Sequence, residues 1–164
     1  MEATAYLHSA FGWWEIRGTE RGLTRVRHLN APPPPRVEPP PDFLRLALRQ
    51  LDEYFAGTRT TFDLPLDLAA HSEFQRGVWR ELLTIPYGRT TSYGAIATRL
   101  GDANAMRAVG LANRNNPIAI IVPCHRCIAK NGDLQGYFYG LDFKRRLLAL
   151  ENPASFAEQG VLFG

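Results

Sequence analysis

Seven of the ten residues from 32 to 41 are proline, interrupted only by Arg36, Val37 and Glu38. Proline lacks an amide hydrogen and has a fixed φ, so this stretch can neither join a sheet ladder nor run inside a helix. It must be a connection between unlike elements. Before it, residues 5–29 alternate short apolar and aromatic runs (Phe11-Gly12-Trp13-Trp14-Glu15-Ile16, then Gly22-Leu23-Thr24-Arg25-Val26-Arg27) with turn residues. That pattern predicts a small antiparallel sheet of two or three strands. After it, Asp42 is placed to cap a helix whose apolar positions Phe43, Leu44, Leu48, Leu51 and Phe55 recur at helical spacing up to Gly57. Residues 58–71 read as a connector.

From there the pattern changes. Ser72-Glu73-Phe74-Gln75 has the spacing of a capping box and opens a helix through Val78, Trp79, Leu82 and Leu83, which ends before Pro86-Tyr87-Gly88. Residues 92–100 and 103–114 predict two further helices joined at Gly101-Asp102, a helix-turn-helix unit. In the second of these, Ala105, Ala108 and Ala112 fall on one face beside Arg107. A face that small can lie close to a neighbouring helix or in a DNA groove, and a single Arg on it suits a minor-groove contact or a wedge. The fold class expected is α/β (α+β), with a sheet-plus-helix lobe over residues 1–70 and a mainly helical lobe over residues 71–164.

The chain has 164 residues and a formal net charge of +3, and the positive excess is not uniform. Residues 1–68 hold 8 Arg against 9 acidic residues, and residues 69–164 hold 11 Lys+Arg against 7 acidic residues. A basic second half is either a solvated surface or an electrostatic footprint for nucleic acid. No run approaches the roughly 18 apolar residues of a membrane span, and the N-terminus lacks the pattern of a secretory signal. A soluble cytoplasmic protein is expected. Two cysteines, Cys124 and Cys127, are too few and too close for a secreted disulfide scaffold.

Ile118-Ala119-Ile120-Ile121-Val122 reads as a buried strand ended by Pro123, which leaves Cys124 at its exit. Most single cysteines are small buried hydrophobes. Here His125 and Arg126 follow directly, and such neighbours can lower a thiol pKa from near 8.5 and so raise the thiolate fraction. Consecutive residues of an extended chain point to opposite sides, so His125 needs a turn or a bridging water to reach Cys124. The spacing Cys124-x-x-Cys127 also permits thiol–disulfide chemistry, although residues 128–133 read as a hairpin turn rather than the helix a thioredoxin-like site requires. A structural zinc needs four ligands, and no second pair is present in sequence.

Taken together, Arg107-Ala108-Val109-Gly110, Asn116-Pro117-Ile118, Pro123-Cys124-His125-Arg126, Gly136-Tyr137 and Lys144-x-x-Leu147-Leu148-x-x-Glu151 resemble, in order and spacing, the O6-alkylguanine-DNA alkyltransferases. The resemblance is dense over about residues 72–152. Residues 1–70 match in general character, a small sheet and a helix as in that family's ribonuclease-H-like lobe. It implies a winged helix-turn-helix-like second lobe and a protein that repairs double-stranded DNA by moving an alkyl group from O6 of guanine onto Cys124. Such a protein would act once per molecule, as a monomer, without cofactor or metal. His125, polarised by Glu151, would activate the thiol through a water, and Asn116 would hold the loop in register. Tyr93 and Arg107 would extrude the base. Tyr137 would line the pocket, with main-chain contacts at Cys124, Cys127 and Phe138. Ala105, Ala108, Ala112, Arg114 and Arg126 would face DNA.

Some positions depart from the family pattern. Cys127 replaces a usually aliphatic residue, which leaves a disulfide with Cys124 as an alternative. Phe138 and Tyr139 are bulkier than the usual residues, so a pocket favouring methyl over benzyl-sized groups is expected. Asn113 and Arg146 replace commoner apolar residues. Two other functions fit parts of the pattern: a damaged-DNA binder without transfer, and a thiol–disulfide oxidoreductase.

Overall fold

The computed structural model describes residues 1–36 and 38–156. The chain forms two compact units, one of Met1–Ala70 together with Pro117–Ala119, the other of His71–Asn116 and the described residues from Ile120 onward.

In the first unit three strands, β1 (Ala3–Ser9), β2 (Gly12–Thr19) and β3 (Gly22–Leu29), form an antiparallel meander in sequence order. The turns between them are short enough to demand left-handed backbone, and Gly12 supplies it at φ 93°, where a Cβ would also strike the His28 ring. Ala5, Trp14, Ile16 and Val26 lie on one face of the sheet and are buried, together with Leu44, Ala47, Leu51, Tyr54 and Phe55 of helix α1 (Asp42–Phe55). Trp14 and Phe55 stack at 5.2 Å. Asp42 is the first residue of α1 rather than its cap: Pro41 holds the capping position in extended geometry, and no side chain caps the helix. The proline that ends the connection thus also starts the helix. The outer edge of β3 is closed by isolated parallel bridges from Leu23 to Leu66 and from Val26 to Ile118, which leaves no long open strand edge there.

The second unit carries α2 (Glu73–Leu83), α3 (Tyr93–Arg99), α4 (Met106–Arg114) and α5 (Leu141–Glu151). The capping box at Ser72 is formed in both directions, with Gln75 N to Ser72 Oγ and Ser72 N to Gln75 Oε1 each 3.1 Å. Ser92 caps α3, and α3 and α4 make the helix-turn-helix around Gly101 at φ 89°. Residues 103–105 are a separate 3-10 turn before α4, so the helix expected over 103–114 is shorter. Val78, Trp79, Leu82, Ile96, Val109, Val122 and Leu147 are fully or almost fully buried, and the Trp79 indole donates to the Ala112 carbonyl at 2.9 Å. Among the described residues, no helix is long and apolar enough to cross a membrane.

The strand expected over 118–122 does not form. Only Ile118 makes a bridge, and the chain turns at Ile120, which adopts φ 73°. All five side chains are buried, as the sequence implies, but an apolar run alone does not distinguish a strand from a buried turn.

Candidate active site

The turn at Ile120 delivers the chain to Pro123, whose φ of −83° and ψ of 66° are those of an inverse γ-turn, closed by Cys124 N to Val122 O at 2.8 Å. Asn116 fixes the same point from outside, its Nδ2 donating to the Val122 carbonyl at 2.7 Å. Cys124 then opens a single 3-10 turn, Cys124–Arg126. That turn removes the alternation of an extended chain, so Cys124 and His125 need not point to opposite sides. Beyond it Cys127 bridges Thr91, and a turn closed by Ala129 N to Asp133 O at 2.8 Å follows, without the flanking strands of a hairpin.

His125 has no exposed surface, and its Nε2 lies 2.7 Å from Glu151 Oε2 at the end of α5. Glu151 also accepts from Arg126, Nε to Oε1 at 2.8 Å and Nη2 to Oε2 at 3.1 Å. Burial works to raise the Glu151 pKa, but His125 and Arg126 outweigh it and hold the carboxyl far below the usual carboxylate range. An ionised carboxylate can only accept, so Nε2 of His125 carries the hydrogen and Nδ1 keeps its lone pair when the ring is neutral. Nδ1 is buried and has no hydrogen-bond partner among the described residues.

Arg126 is a correction to the sequence reading. Expected on DNA, it is buried, paired with Glu151, and donates a further bond to the Ile85 carbonyl at 2.6 Å. Its guanidinium is occupied by the only class of partner that repays desolvating it. Nor is the thiol pKa lowered as expected. Burial pushes the Cys124 thiol up, opposed by a hydrogen bond from Asn116, the Lys144 charge and a hydrogen bond from Tyr137. Burial pushes Cys127 up to about 12. Both cysteines are free thiols.

Two residues the sequence reading left without a role belong to this site. Lys144 on α5 is fully buried, and its ammonium binds the carbonyls of Cys127 (2.6 Å), Leu134 and Gly136 (3.1 Å). Burial lowers its pKa to about 8. Its place in the Lys144-x-x-Leu147 motif was the available signal. Asn113 is buried, with Nδ2 3.4 Å from the Cys124 carbonyl; its departure from the apolar residue usual at that place was the clue.

Cys124 lies on a cavity of about 170 Å³ lined also by Tyr93, Gly110, Asn113, Arg114, Gly136, Tyr137 and Phe138. Gly110 lets the Tyr93 ring lie close against α4, where a Cβ would come to 3.3 Å of it. Burial raises the Tyr93 pKa, so its hydroxyl stays a donor at neutral pH. On the outer side of α4, Arg107, Ala108, Leu111 and Arg114 are exposed and Ala105 is half-buried. Ala112, expected with them, is buried against α2, a second correction: the inner stripe of α4 is Val109, Ala112 and Asn113.

A buried thiol beside a histidine–carboxylate pair, opening on a small cavity, is the arrangement of a protein with an activated cysteine nucleophile. Comparison with known proteins narrows the class. Residues 73–153 match the family model described as "6-O-methylguanine DNA methyltransferase, DNA binding domain", and residues 3–68 match that of the same family's "ribonuclease-like domain". A methylated-DNA–protein-cysteine methyltransferase of Mycolicibacterium paratuberculosis is 51% identical over 154 residues, spanning 90% of this chain and 92% of that one. The crystal structure of the Mycobacterium tuberculosis O6-methylguanine methyltransferase superimposes with a TM-score of 0.81 at 46% identity, covering 97% of this chain and 98% of that one. A structure of the protein from the same organism in complex with DNA gives the same TM-score and identity, covering 97% of each chain. This chain belongs to the 6-O-methylguanine DNA methyltransferase family.

Proposed function

We propose that this protein repairs double-stranded DNA by accepting, irreversibly and once per molecule, the alkyl group of O6-alkylguanine on Cys124. The observation that carries the reading is the 2.7 Å contact between His125 Nε2 and Glu151, which leaves Nδ1 of a buried imidazole without a partner among the described residues, on the residue that directly follows Cys124 of the cavity lining. His125 Nδ1 takes the Cys124 proton through a water. Sγ then attacks the alkyl carbon, the C–O6 bond breaks, and its electron pair stays on guanine O6. The guanine anion so released takes up a proton, equivalent to the one His125 accepted, so the products are a thioether, neutral guanine and a neutral His125, and neither metal nor cofactor enters the balance.

A thiol held protonated at rest suits this scheme, since it is consumed only when base, water and substrate are aligned. Tyr93 donates a hydrogen bond to the base as charge builds on it. The Asn116 bond to Val122 O holds the cysteine turn, and Tyr137, the carbonyls of Cys124 and Cys127 and the Phe138 amide surround the guanine. Reaching O6 requires the base to leave the stack, at a cost of a few kcal/mol. Arg107, exposed on α4, fills the gap from the minor groove, where Ala105 and Ala108 allow close approach and Arg114 reaches the backbone. The protein works as a cytoplasmic monomer.

Duplex carrying a single O6-methylguanine tests the reading. The expected outcome is one methyl on the Cys124 peptide per protein molecule by mass spectrometry, and none with Cys124→Ala. Methyl released as a small product, or damage binding without any transfer, would sink it.

A further inference from the structure

Arg114 and Phe138 line the cavity from different elements, the first as the last residue of α4 and the second from the loop preceding α5. The guanidinium carbon lies 5.9 Å from the centre of the Phe138 ring, within cation–π range. The ring is 62% exposed, so it stands at the mouth rather than in the core. It is also braced. Tyr139 meets it edge-on at 5.1 Å, and Tyr139 in turn packs on Phe143 of α5 at 5.9 Å. Lys144 ties the start of the same loop to α5 through the Leu134 and Gly136 carbonyls. The ring thus has an aromatic neighbour on one side and a cation on another.

We infer that Arg114 and Phe138 form a cation–π lip that sets the size of the alkyl group the site accepts, a step that rests on the repair reading. In-line displacement puts sulfur, carbon and leaving oxygen in a row. The remainder of any alkyl group larger than methyl must therefore leave that line sideways, into the cavity wall or out through its mouth. At about 170 Å³ the cavity is well below the roughly 300–1,000 Å³ of sites that hold drug-sized ligands. Of the lining residues, Cys124 is buried and Tyr93 packs close to Gly110, whereas Arg114 and Phe138 are exposed, so the side on which a larger group can leave the cavity is the one the lip occupies. Arg114 thereby acts on the substrate as well as on DNA.

The test compares single-turnover transfer to Cys124 from duplexes carrying O6-methylguanine and O6-benzylguanine, for wild type, Phe138→Ala, Phe138→Leu, Arg114→Ala and the Phe138→Ala/Arg114→Ala pair. The readout is the ratio of benzyl to methyl rate, since Phe138→Ala can also alter the absolute rates. Opening the lip in Phe138→Ala raises that ratio about tenfold or more, the scale of a steric discrimination in a pocket. Arg114→Ala raises it in the same direction, and the double variant gains less than the product of the two, as coupled neighbours do. Phe138→Leu, which keeps bulk and loses the ring face, falls between wild type and Phe138→Ala. An unchanged ratio in Phe138→Ala overturns the lip. So does a loss in Arg114→Ala that is equal for both substrates and matched by weaker binding of undamaged duplex, which makes Arg114 a DNA contact alone. A wild-type protein that moves neither group overturns the repair reading and the lip with it.

Discussion

Glu151 occupies an unfavourable place for a carboxylate, the last turn of a helix, where the backbone dipole repels negative charge, and it is buried there as well. It survives because Arg126 and His125 converge on it. Replacing it by Gln leaves Arg126 buried without a counter-charge, and a destabilisation of about 3–5 kcal/mol is expected by denaturant titration. The same change releases the tautomer of His125, so methyl transfer slows even under conditions where the variant is fully folded. The pH dependence follows from the depressed carboxyl: its stabilisation is complete above the ordinary glutamate value of about 4.3 and is lost as pH falls through the lower folded-state value. Wild type should therefore lose stability on acidification below about pH 4 more steeply than Glu151→Gln. Cys127 behaves in the opposite sense. Raised to about 12, it stays a thiol wherever the folded protein is studied, and it has no exposed surface. Iodoacetamide at pH 7.5 should leave Cys127 unmodified in the native protein and label it after unfolding; rapid native labelling would reopen the thiol–disulfide alternative.

Among the elements, those with local signals were legible in the sequence. The reciprocal Ser72–Gln75 cap announced α2, and Ser72→Ala should cost about 1 kcal/mol, read as a lower unfolding midpoint. What sequence patterns could not supply was direction. Ala105, Ala108 and Ala112 do share a helical face by spacing, but α4 begins at Met106 and is rolled so that Val109, Ala112 and Asn113 point inward. The face left to solvent is Arg107, Ala108, Leu111 and Arg114. Only tertiary packing, here the bond from Trp79 to the Ala112 carbonyl, decides between these rotations. Residues 118–122 failed for a related reason, since burial was readable and the reversal at Ile120 was not. The role of α4 is itself testable. Arg107→Ala should slow transfer from duplex DNA by about 10- to 100-fold, the worth of one to three kcal/mol of base extrusion, with a smaller loss on single-stranded substrate, where no gap opens; equal losses on both would argue against a wedge.

For the molecule as a whole, the proline-rich connection separates β3 from α1 inside the sheet-bearing unit, and the boundary between the units falls after Ala70, next to the capping box at Ser72 where the pattern of the sequence changes. The active-site pairing did not follow from periodicity. His125 and Glu151 are 26 residues apart, and Glu151 entered as a candidate through family resemblance alone. The charge asymmetry was readable, yet its meaning was not, because Arg126 and Lys144 spend their charge inside the protein. The cations that remain outside are those available to phosphates. Affinity for undamaged duplex should accordingly fall as salt rises, linearly on logarithmic axes, and Arg114→Ala should reduce that slope by about one; a flat salt response would remove the electrostatic footprint.

The separation of His125 from Glu151 has a consequence for synthesis. A chain emerging from the ribosome presents its nucleophile first, and the residue that orients its base only after α5 has been made and docked. Until then the cysteine has no aligned partner. On the proposed mechanism reactivity arrives with α5, so a molecule lacking α5 is expected to show no methyl transfer to Cys124. An acceptor that can be used once is thereby kept unspent until the fold that directs it is complete.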